Sequence, residues 1–496
     1  MATPMTEETK KVHLISLGCP KNRVDSEVML GHLAANDYQY VDSPEQAGVI
    51  VVNTCGFIDA AKAESIDVIT EMAELKRANP TTKLIVTGCL SQRYAPELAR
   101  EIPEVDHFLG TGNFEAIVSA VEAPPQTKST RLNIIQNQQN VATKTHPRLV
   151  GKNALVPYRH GSVNDHGEDI YIPDPDFTIR ASSPRVHTQA LYSSYLKISE
   201  GCSNTCAFCI IPKLRGPQRS RPIADIVNEV ATMIEKGTVE FNLIAQDLCA
   251  FGKDLSPKQS LAQLLTDLET LGGKSQKTLW FRCLYAYPRG LTAEVIDILA
   301  QGKFVIPYLD MPLQHIADSM LQRMRRGKGG DSTRELVLNL HKQIPNLSLR
   351  TTFITGMPGE TDDDFQALCA FVKEVEFDHM GIFTYSPEAD TPAAMMSDQV
   401  AKELAEERRD ILMELQQAIT TKKQQSLLGK TIDVLMNGVS DESDLLLQGR
   451  HMGQAPEIDG VTYISAGTAN PGEFKKVKIT QAHKYDVVGE IIDDMI

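Results

Sequence analysis

Three short apolar runs near the amino terminus, VHLISL (Val12–Leu17), VIVVN (Val49–Asn53) and KLIVT (Lys83–Thr87), each lead within two residues to a cysteine beside a glycine. Runs this short and this uniformly apolar are expected of strands buried on both faces, and helical periodicity over Val24–Ala35 and Ile58–Ala78 fills the gaps. A strand–helix–strand rhythm specifies a parallel sheet, so the fold class is α/β. Strands of such a sheet end on one edge, where ligands of open α/β sheets collect. Cys19, Cys55 and Cys89, separated by 36 and 34 residues, thereby become neighbours in space. Gly18, Gly56 and Gly88 beside them let the backbone approach a bulky group closely.

A chain of 496 residues exceeds one ordinary core. It divides into an open parallel-sheet domain over 11–123, a linker or insertion over 124–187, a second βα series over 188–424 and a tail over 425–496. The insertion is rich in Gln, Asn, Pro, Thr and His, keeps no period, and is expected to carry no catalytic role. The second series has strands at YLKIS (Tyr195–Ser199), VEFNLIA (Val239–Ala245), LWFRCLY (Leu279–Tyr285), PYLDM (Pro307–Met311), LSLRTTF (Leu347–Phe353) and MGIFTY (Met380–Tyr385). Helical stretches near 223–236, 260–271, 293–301, 331–343 and 362–375 separate them, which suggests a partial (βα)6 barrel rather than an eight-stranded one. A charged amphipathic helix at about 399–427 precedes a tail whose apolar runs, broken by Gly and Asp, fit a small β-barrel. No apolar run approaches ~18 residues, and Met1–Lys11 lacks the apolar core of a signal peptide, so the expectation is a cytoplasmic protein without a membrane partner. The net charge of −14 argues mildly against a nucleic-acid partner, although a local basic patch can coexist with it.

Nine cysteines in such a chain point to metal or redox chemistry rather than a disulfide framework. Cys202-Ser-Asn-Thr-Cys206-Ala-Phe-Cys209 follows the first strand of the second series. Structural zinc usually takes four protein ligands, and no nearby Cys or His supplies a fourth. A [4Fe–4S] cluster held by three thiolates instead keeps one iron open for a ligand. Cys19, Cys55 and Cys89 are expected to hold a second such cluster; any one of them alone could equally be a buried small hydrophobe. Cys249, Cys283 and Cys369 lie within or beside strands and helices and read as packing residues.

The C-x3-C-x2-C loop, with Phe208 before its last cysteine, resembles the radical S-adenosylmethionine (SAM) superfamily. Two three-cysteine sets on a sheet domain and a partial barrel resemble, more closely, its methylthiotransferase family. The likeness runs through SLGCPKNRVDSE (Ser16–Glu27), VNTCGFID (Val52–Asp59), VTGCL (Val86–Leu90), YLKISEGCSNTCAFCIIP (Tyr195–Pro212), SRP (Ser220–Pro222), PLQH (Pro312–His315) and PGET (Pro358–Thr361). It implies that the tail is the β-barrel called TRAM, which in this family contacts substrate. One branch modifies tRNA adenosines; another modifies an aspartate of ribosomal small-subunit protein twelve. GCPKN and CIIP resemble the second branch, whereas the tRNA branch reads GCQMN and CVVP. From Thr431 onward five Lys/Arg face eleven Asp/Glu, a net −6, which suits a basic protein better than phosphates. Three departures stand out: the insertion, Met357 where an aromatic is usual, and the terminal IIDDMI.

The resemblance implies that the Cys202/Cys206/Cys209 cluster reduces and cleaves SAM, giving a 5′-deoxyadenosyl radical that removes hydrogen from the aspartate β-carbon. It implies that the Cys19/Cys55/Cys89 cluster holds or donates sulfur, that a second SAM supplies the methyl group, and that an electron donor such as flavodoxin or ferredoxin is needed. Such C–H bonds offer no acidic proton, which removes the need for an acid/base pair. Phe208 is implied near the adenine. Gly356, Pro358 and Gly359 form a turn that can run along the methionine part of SAM, or an ordinary strand-to-helix turn. Gln246 and Arg350 are candidate polar partners of SAM or substrate, or structural residues. The basic run Arg323-Met-Arg325-Arg326-Gly-Lys328 reads first as a solvated loop and second as a contact with substrate or ribosome.

Overall fold

Residues 11–108 build a five-stranded parallel sheet in the computed structural model, which describes residues 10–123, 175, 177–327 and 329–492. The described chain forms two units. The first holds residues up to Thr188 with Glu200–Ser203 and Ile210–Pro217; the second holds Gln189–Ser199, Asn204–Cys209 and everything from Gln218.

In the first unit, β1 (Lys11–Ser16), β2 (Gln39–Tyr40), β3 (Val49–Thr54), β4 (Lys83–Gly88) and β5 (His107–Phe108) run in the order β2-β1-β3-β4-β5. The central β3 is buried at all six positions, as its unbroken Val/Ile run requires. Ile50, Val52, Ile69, Met72, Leu84 and Val86 form the core beneath it. The two-residue edge strands are too short to show any period in the sequence. The first helix, Pro20–Ala34, begins four residues ahead of the apolar pattern because its opening turns bury polar side chains. Lys21, Asn22, Asp25, Ser26 and Glu27 are all buried there, with Pro20 suited to the first helical position. Glu27 draws in the end of the insertion: it pairs with Arg185 at 2.7 Å, and Phe177 meets Phe114 edge-on at 5.6 Å. The rest of the insertion, Lys328 and the terminal Asp493–Ile496 lie outside the described residues.

The second unit opens with β6 (Ser193–Lys197); the two-residue strands β7 (Ser199–Glu200), whose Glu200 belongs to the first unit, and β8 (Arg219–Ser220) bracket the cysteine loop in sequence. Then come β9 (Glu240–Ile244), β10 (Trp280–Cys283), β11 (Val305–Asp310), β12 (Ser348–Thr355) and β13 (His379–Thr384). β6 and β9 to β13 pair in chain order as one six-stranded parallel sheet. Helices Ile223–Glu235, Leu261–Ser275, Ala293–Gln301, Gly330–Gln343 and Asp362–Val375 alternate with the strands, as the periodicity implies. Cys249, Cys283 and Cys369 sit in the apolar core between them.

The tail closes into a barrel from β14 (Thr431–Ser440), β15 (Ser443–His451), β16 (Thr462–Ala466), β17 (Phe474–Ala482) and β18 (Val487–Ile491). A buried ion-pair group fastens it to the six-stranded sheet. Arg450 grips both carboxylate oxygens of Glu240 at 2.7 Å, and Arg282 reaches the same carboxylate at 3.0 Å. Burial alone would raise the Glu240 carboxyl, but the two guanidinium groups outweigh it and hold the pKa down at about 2. The single tryptophan, Trp280, meets Phe474 of the barrel edge-on at 4.8 Å.

Candidate functional site

The register of the first sheet decides where its cysteines fall. Ser16 lies opposite Asn53, and Thr54 lies opposite Gly88, so β1, β3 and β4 finish level with one another. Adjacent strands are about 4.8 Å apart, and Cys55 and Cys89 each stand one residue beyond that line. Cys19 caps the helix Pro20–Ala34, and Cys89 opens the helix Cys89–Glu101. The contacts are close: a Cβ on Gly18 would stand 2.6 Å from the Cys55 Cβ and 3.0 Å from its Sγ. Gly88, at φ +96°, leaves no room for a side chain either, since a Cβ there would stand 2.4 Å from the Thr54 carbonyl oxygen. Asn22 ties the edge together by donating to the carbonyls of Leu17 and Thr54, both at 2.9 Å.

Burial, with Cys89 and Cys19 close by, pushes the Cys55 thiol up to about 12, and burial likewise raises Cys89 against the opposing charge of Arg215. Buried thiols such as Cys55 and Cys89 hold their protons unless a cationic group replaces them. Among the described residues, no three Cys, His, Asp or Glu side chains close tightly enough to share one metal ion. A cubane asks for something wider, because each thiolate takes a different iron. The chemistry of this donor set, with glycine at each approach, fits such a cluster.

The other trio lies on one loop. Cys202 is buried, and its N–H donates to the Gly216 carbonyl at 3.0 Å; Gly201 before it sits at φ +78°, where a Cβ would stand 2.2 Å from the Pro217 oxygen. Cys206 and Cys209 are half-buried and joined by a Cys209 N–H to Cys206 carbonyl bond of 3.2 Å. The Arg326 guanidinium reaches the Cys206 sulfur at 3.6 Å and stacks on Tyr287 at 4.0 Å. One member of the basic run is thus no solvated charge: it sits against a candidate ligand. Asn204 in the loop donates to Asp247, which follows β9, at 2.7 Å. Gln246, half-buried, is the residue before it.

Phe208 packs with Ala207, Met320, Met324, Met357 and Ala393, an apolar wall in which Met357 is fully buried. The turn after β12 needs its glycines. Gly356 at φ +75° lies where a Cβ would stand 2.3 Å from Ala405, and Gly359 at φ +79° where one would stand 2.6 Å from Asp398. Pro358, between them, offers its carbonyl to Arg323 at 3.5 Å. Glu360 anchors the turn, accepting from the Gly356 N–H at 2.6 Å, from Arg408 at 2.8 Å and from His315 at 3.2 Å. The Ala317 N–H donates to the His315 Nδ1, so the proton sits on Nε2. Arg350 does not join this group. It stands near the start of β12, about 20 Å along the strand from Gly356, and ion-pairs with Asp310 at 3.4 Å and Asp459 at 3.5 Å. Its partners make it part of the fastening of the β-barrel.

Sequence reasoning missed Arg215, Asp25, Glu200, Tyr287, Asp247 and Arg408. Asp25, Glu200, His315 and Glu360 all lie inside family-like strings, so their presence was visible although their roles were not. Arg326 was visible only as part of the basic run, read as a solvated loop or a contact with substrate or ribosome, and nothing in local spacing marked Arg408.

Uncharacterized protein family UPF0004 matches residues 11–110, the Radical SAM superfamily 196–372 and the TRAM domain 428–492. A ribosomal protein uS12 methylthiotransferase RimO of Anaeromyxobacter sp. (strain K) is 48% identical over 97% of this chain and 93% of that protein. The RimO of Geobacter sulfurreducens is 42% identical over 98% of this chain and 100% of its own. Among solved structures, the radical SAM methyltransferase TsrM from Kitasatospora setae, with cobalamin and a [4Fe–4S] cluster bound, superposes with a TM-score of 0.52 at 14% identity, covering 78% of this chain and 77% of its own. At that identity the likeness concerns fold alone. No described helix is long and apolar enough to cross a membrane.

Proposed function

The chain belongs to the RimO family of radical SAM methylthiotransferases, and we propose that it adds a methylthio group to the β-carbon of an aspartate in ribosomal small-subunit protein uS12. The observation that carries this reading is the gathering of Cys19, Cys55 and Cys89 on one sheet edge, in a chain that also holds the Cys202-Cys206-Cys209 loop. A radical generator needs only the loop; sulfur insertion calls for a second inorganic centre.

In this reading Cys202, Cys206 and Cys209 hold one [4Fe–4S] cluster and Cys19, Cys55 and Cys89 another, each with an iron left open. When bound, the clusters and two molecules of SAM supply a hydrogen-abstracting carbon radical, sulfur and a methyl group, chemistry that no side chain of the protein provides. The protein's part is placement. Phe208 and its methionine neighbours exclude water beside the loop, and the Gly356-Met357-Pro358-Gly359 turn, fixed by Glu360 and packed against Phe208 through Met357, gives the methionine part of SAM a rigid wall to run along. Gln246 offers an amide from the end of β9. Arg350 is assigned to holding the β-barrel, which in turn offers the substrate an acidic surface: the net −6 of residues 431–496 suits a basic ribosomal protein and would steer its approach. The setting is the cytoplasm, on the ribosome or an assembly intermediate, with a flavodoxin or ferredoxin as electron donor.

Mass spectrometry of uS12 and of tRNA from cells lacking the chain tests the assignment. Loss of one methylthio group from uS12, with 2-methylthio-adenosines intact, is expected; the reverse pattern would make the substrate tRNA.

A further inference from the structure

We propose that Arg215 is a positioning residue for the sheet-edge cluster: its guanidinium, locked between Asp25, Glu200 and Asn22, donates to the Cys89 sulfur and raises the electron affinity of the iron centre held there. The proposal rests on the reading that Cys19, Cys55 and Cys89 bind a [4Fe–4S] cluster.

Arg215 is 1% exposed, and its Nη1 reaches Asp25 at 3.2 Å and Glu200 at 2.9 Å, both buried carboxylates. Its Nη2 donates to the side-chain oxygen of Asn22. The same guanidinium also hydrogen-bonds the Cys89 side chain. Burying three charges is expensive, and a well-packed apolar residue would serve stability as well or better. The arrangement makes sense if the planar fork has to be aimed. Asn22 is itself fixed by the Leu17 and Thr54 carbonyls, one residue from Gly18 and Cys55. One guanidinium is therefore referenced to the backbone leading to Cys19 and Cys55 while it touches Cys89. The short helix Ile211–Arg215 that presents it is held by Thr111, whose hydroxyl donates to the Leu214 carbonyl at 2.7 Å. Ile210 and Leu214 pack around Cys89 with Phe57. The segment that follows Cys209 in sequence is thus built onto the other trio's site.

A positive charge and N–H donors at a ligand sulfur favour the more negative, reduced state of a cluster. The test uses the full-length chain with Cys202, Cys206 and Cys209 replaced by alanine, reconstituted anaerobically, so that one cluster remains. Iron, acid-labile sulfide and an EPR-monitored redox titration are compared for Arg215, Arg215→Lys and Arg215→Met. The arginine form is expected to hold about four irons, Arg215→Met to titrate at a more negative midpoint, and Arg215→Lys to fall between them. Lysine keeps the charge balance with Asp25 and Glu200, so it carries the comparison if Arg215→Met does not fold. A lysine form with the midpoint of the arginine form, or a shift to more positive values in either variant, overturns the proposal. An arginine form that binds no iron at all would instead remove the cluster reading beneath it.

Discussion

The two cysteine trios reach their sites by opposite routes. Cys202, Cys206 and Cys209 are delivered by eight consecutive residues, so tight turns at Gly201 and within the loop suffice. Cys19, Cys55 and Cys89 span 71 residues and meet only when three strands pair in register, Ser16 with Asn53 and Thr54 with Gly88. The loop trio depends on local backbone, the sheet trio on tertiary structure. Their surroundings differ as well: Arg326 approaches Cys206 from a half-buried position with its ring partner Tyr287, whereas Arg215 is sealed among carboxylates. On the proposed reading, the centre that would bind and release SAM needs access, while the one that would store sulfur gains from enclosure.

The largest expected effect comes from removing either trio. Alanine at Cys19, Cys55 and Cys89, or at Cys202, Cys206 and Cys209, is expected to abolish uS12 modification and to lower iron from about eight to about four per chain, read by colorimetric iron assay. Only the sheet-trio variant should still release 5′-deoxyadenosine on reduction with SAM.

Single glycines sharpen the contrast. Gly18→Ala places a Cβ 2.6 Å from Cys55 at a φ of +87°, and the left-handed backbone alone costs roughly 1–2 kcal/mol. It is expected to lose about half the iron and keep SAM cleavage. Gly201→Ala is expected to lose SAM cleavage and keep the sheet-edge cluster. If both variants lost the same cluster, the two sites would not be built independently.

A third region serves as the control that neither trio should feel. Glu240→Gln leaves Arg450 and Arg282 without their buried carboxylate, a change expected to cost about 3–5 kcal/mol in urea or thermal unfolding. Trp280 emission against Phe474 would report the loosened barrel, with iron content unchanged. The depressed pKa, from 4.5 to about 2, fixes the pH window: this stabilisation is complete above about 4.5 and drains away as pH falls toward about 2. The Gln variant should lack that slope.

The smallest effect is Thr361→Ala, which removes the capping box that Thr361 and Asp364 form at the head of Asp362–Val375. About 1 kcal/mol of stability is expected to be lost, with a slightly higher KM for SAM because the cap adjoins the glycine turn, and no change in iron.

These differences also explain what could be read from the chain beforehand. The longer strands of both sheets follow from their apolar runs, whereas the two-residue edge strands β2 and β5 do not, and the places of Cys55 and Cys89 just past strand ends follow from the same runs. Buried charge was hidden. Helical spacing alone would leave Asp25 and Glu27 outside, yet they are inside because Arg215 and Arg185 arrive from 190 and 158 residues away. Periodicity records how often a side chain prefers water, and it cannot register a partner supplied by another part of the fold. Arg350 was read either as a polar partner of SAM or substrate or as a structural residue, and its strand could not decide between them because Asp459, with which it ion-pairs, is contributed by the tail. The short helices Ile211–Arg215 and Asp318–Arg323 carry too few residues to show a period at all.

Anomalous scattering at the iron edge, from crystals grown anaerobically with SAM, tests the central claim most directly. Two separate iron peaks are expected, one bound by the sulfurs of Cys19, Cys55 and Cys89 and one by those of Cys202, Cys206 and Cys209, each with one iron free of any cysteine. A single peak on the loop, with the sheet-edge thiols bare, would contradict the account and leave a radical generator with no place to keep its sulfur.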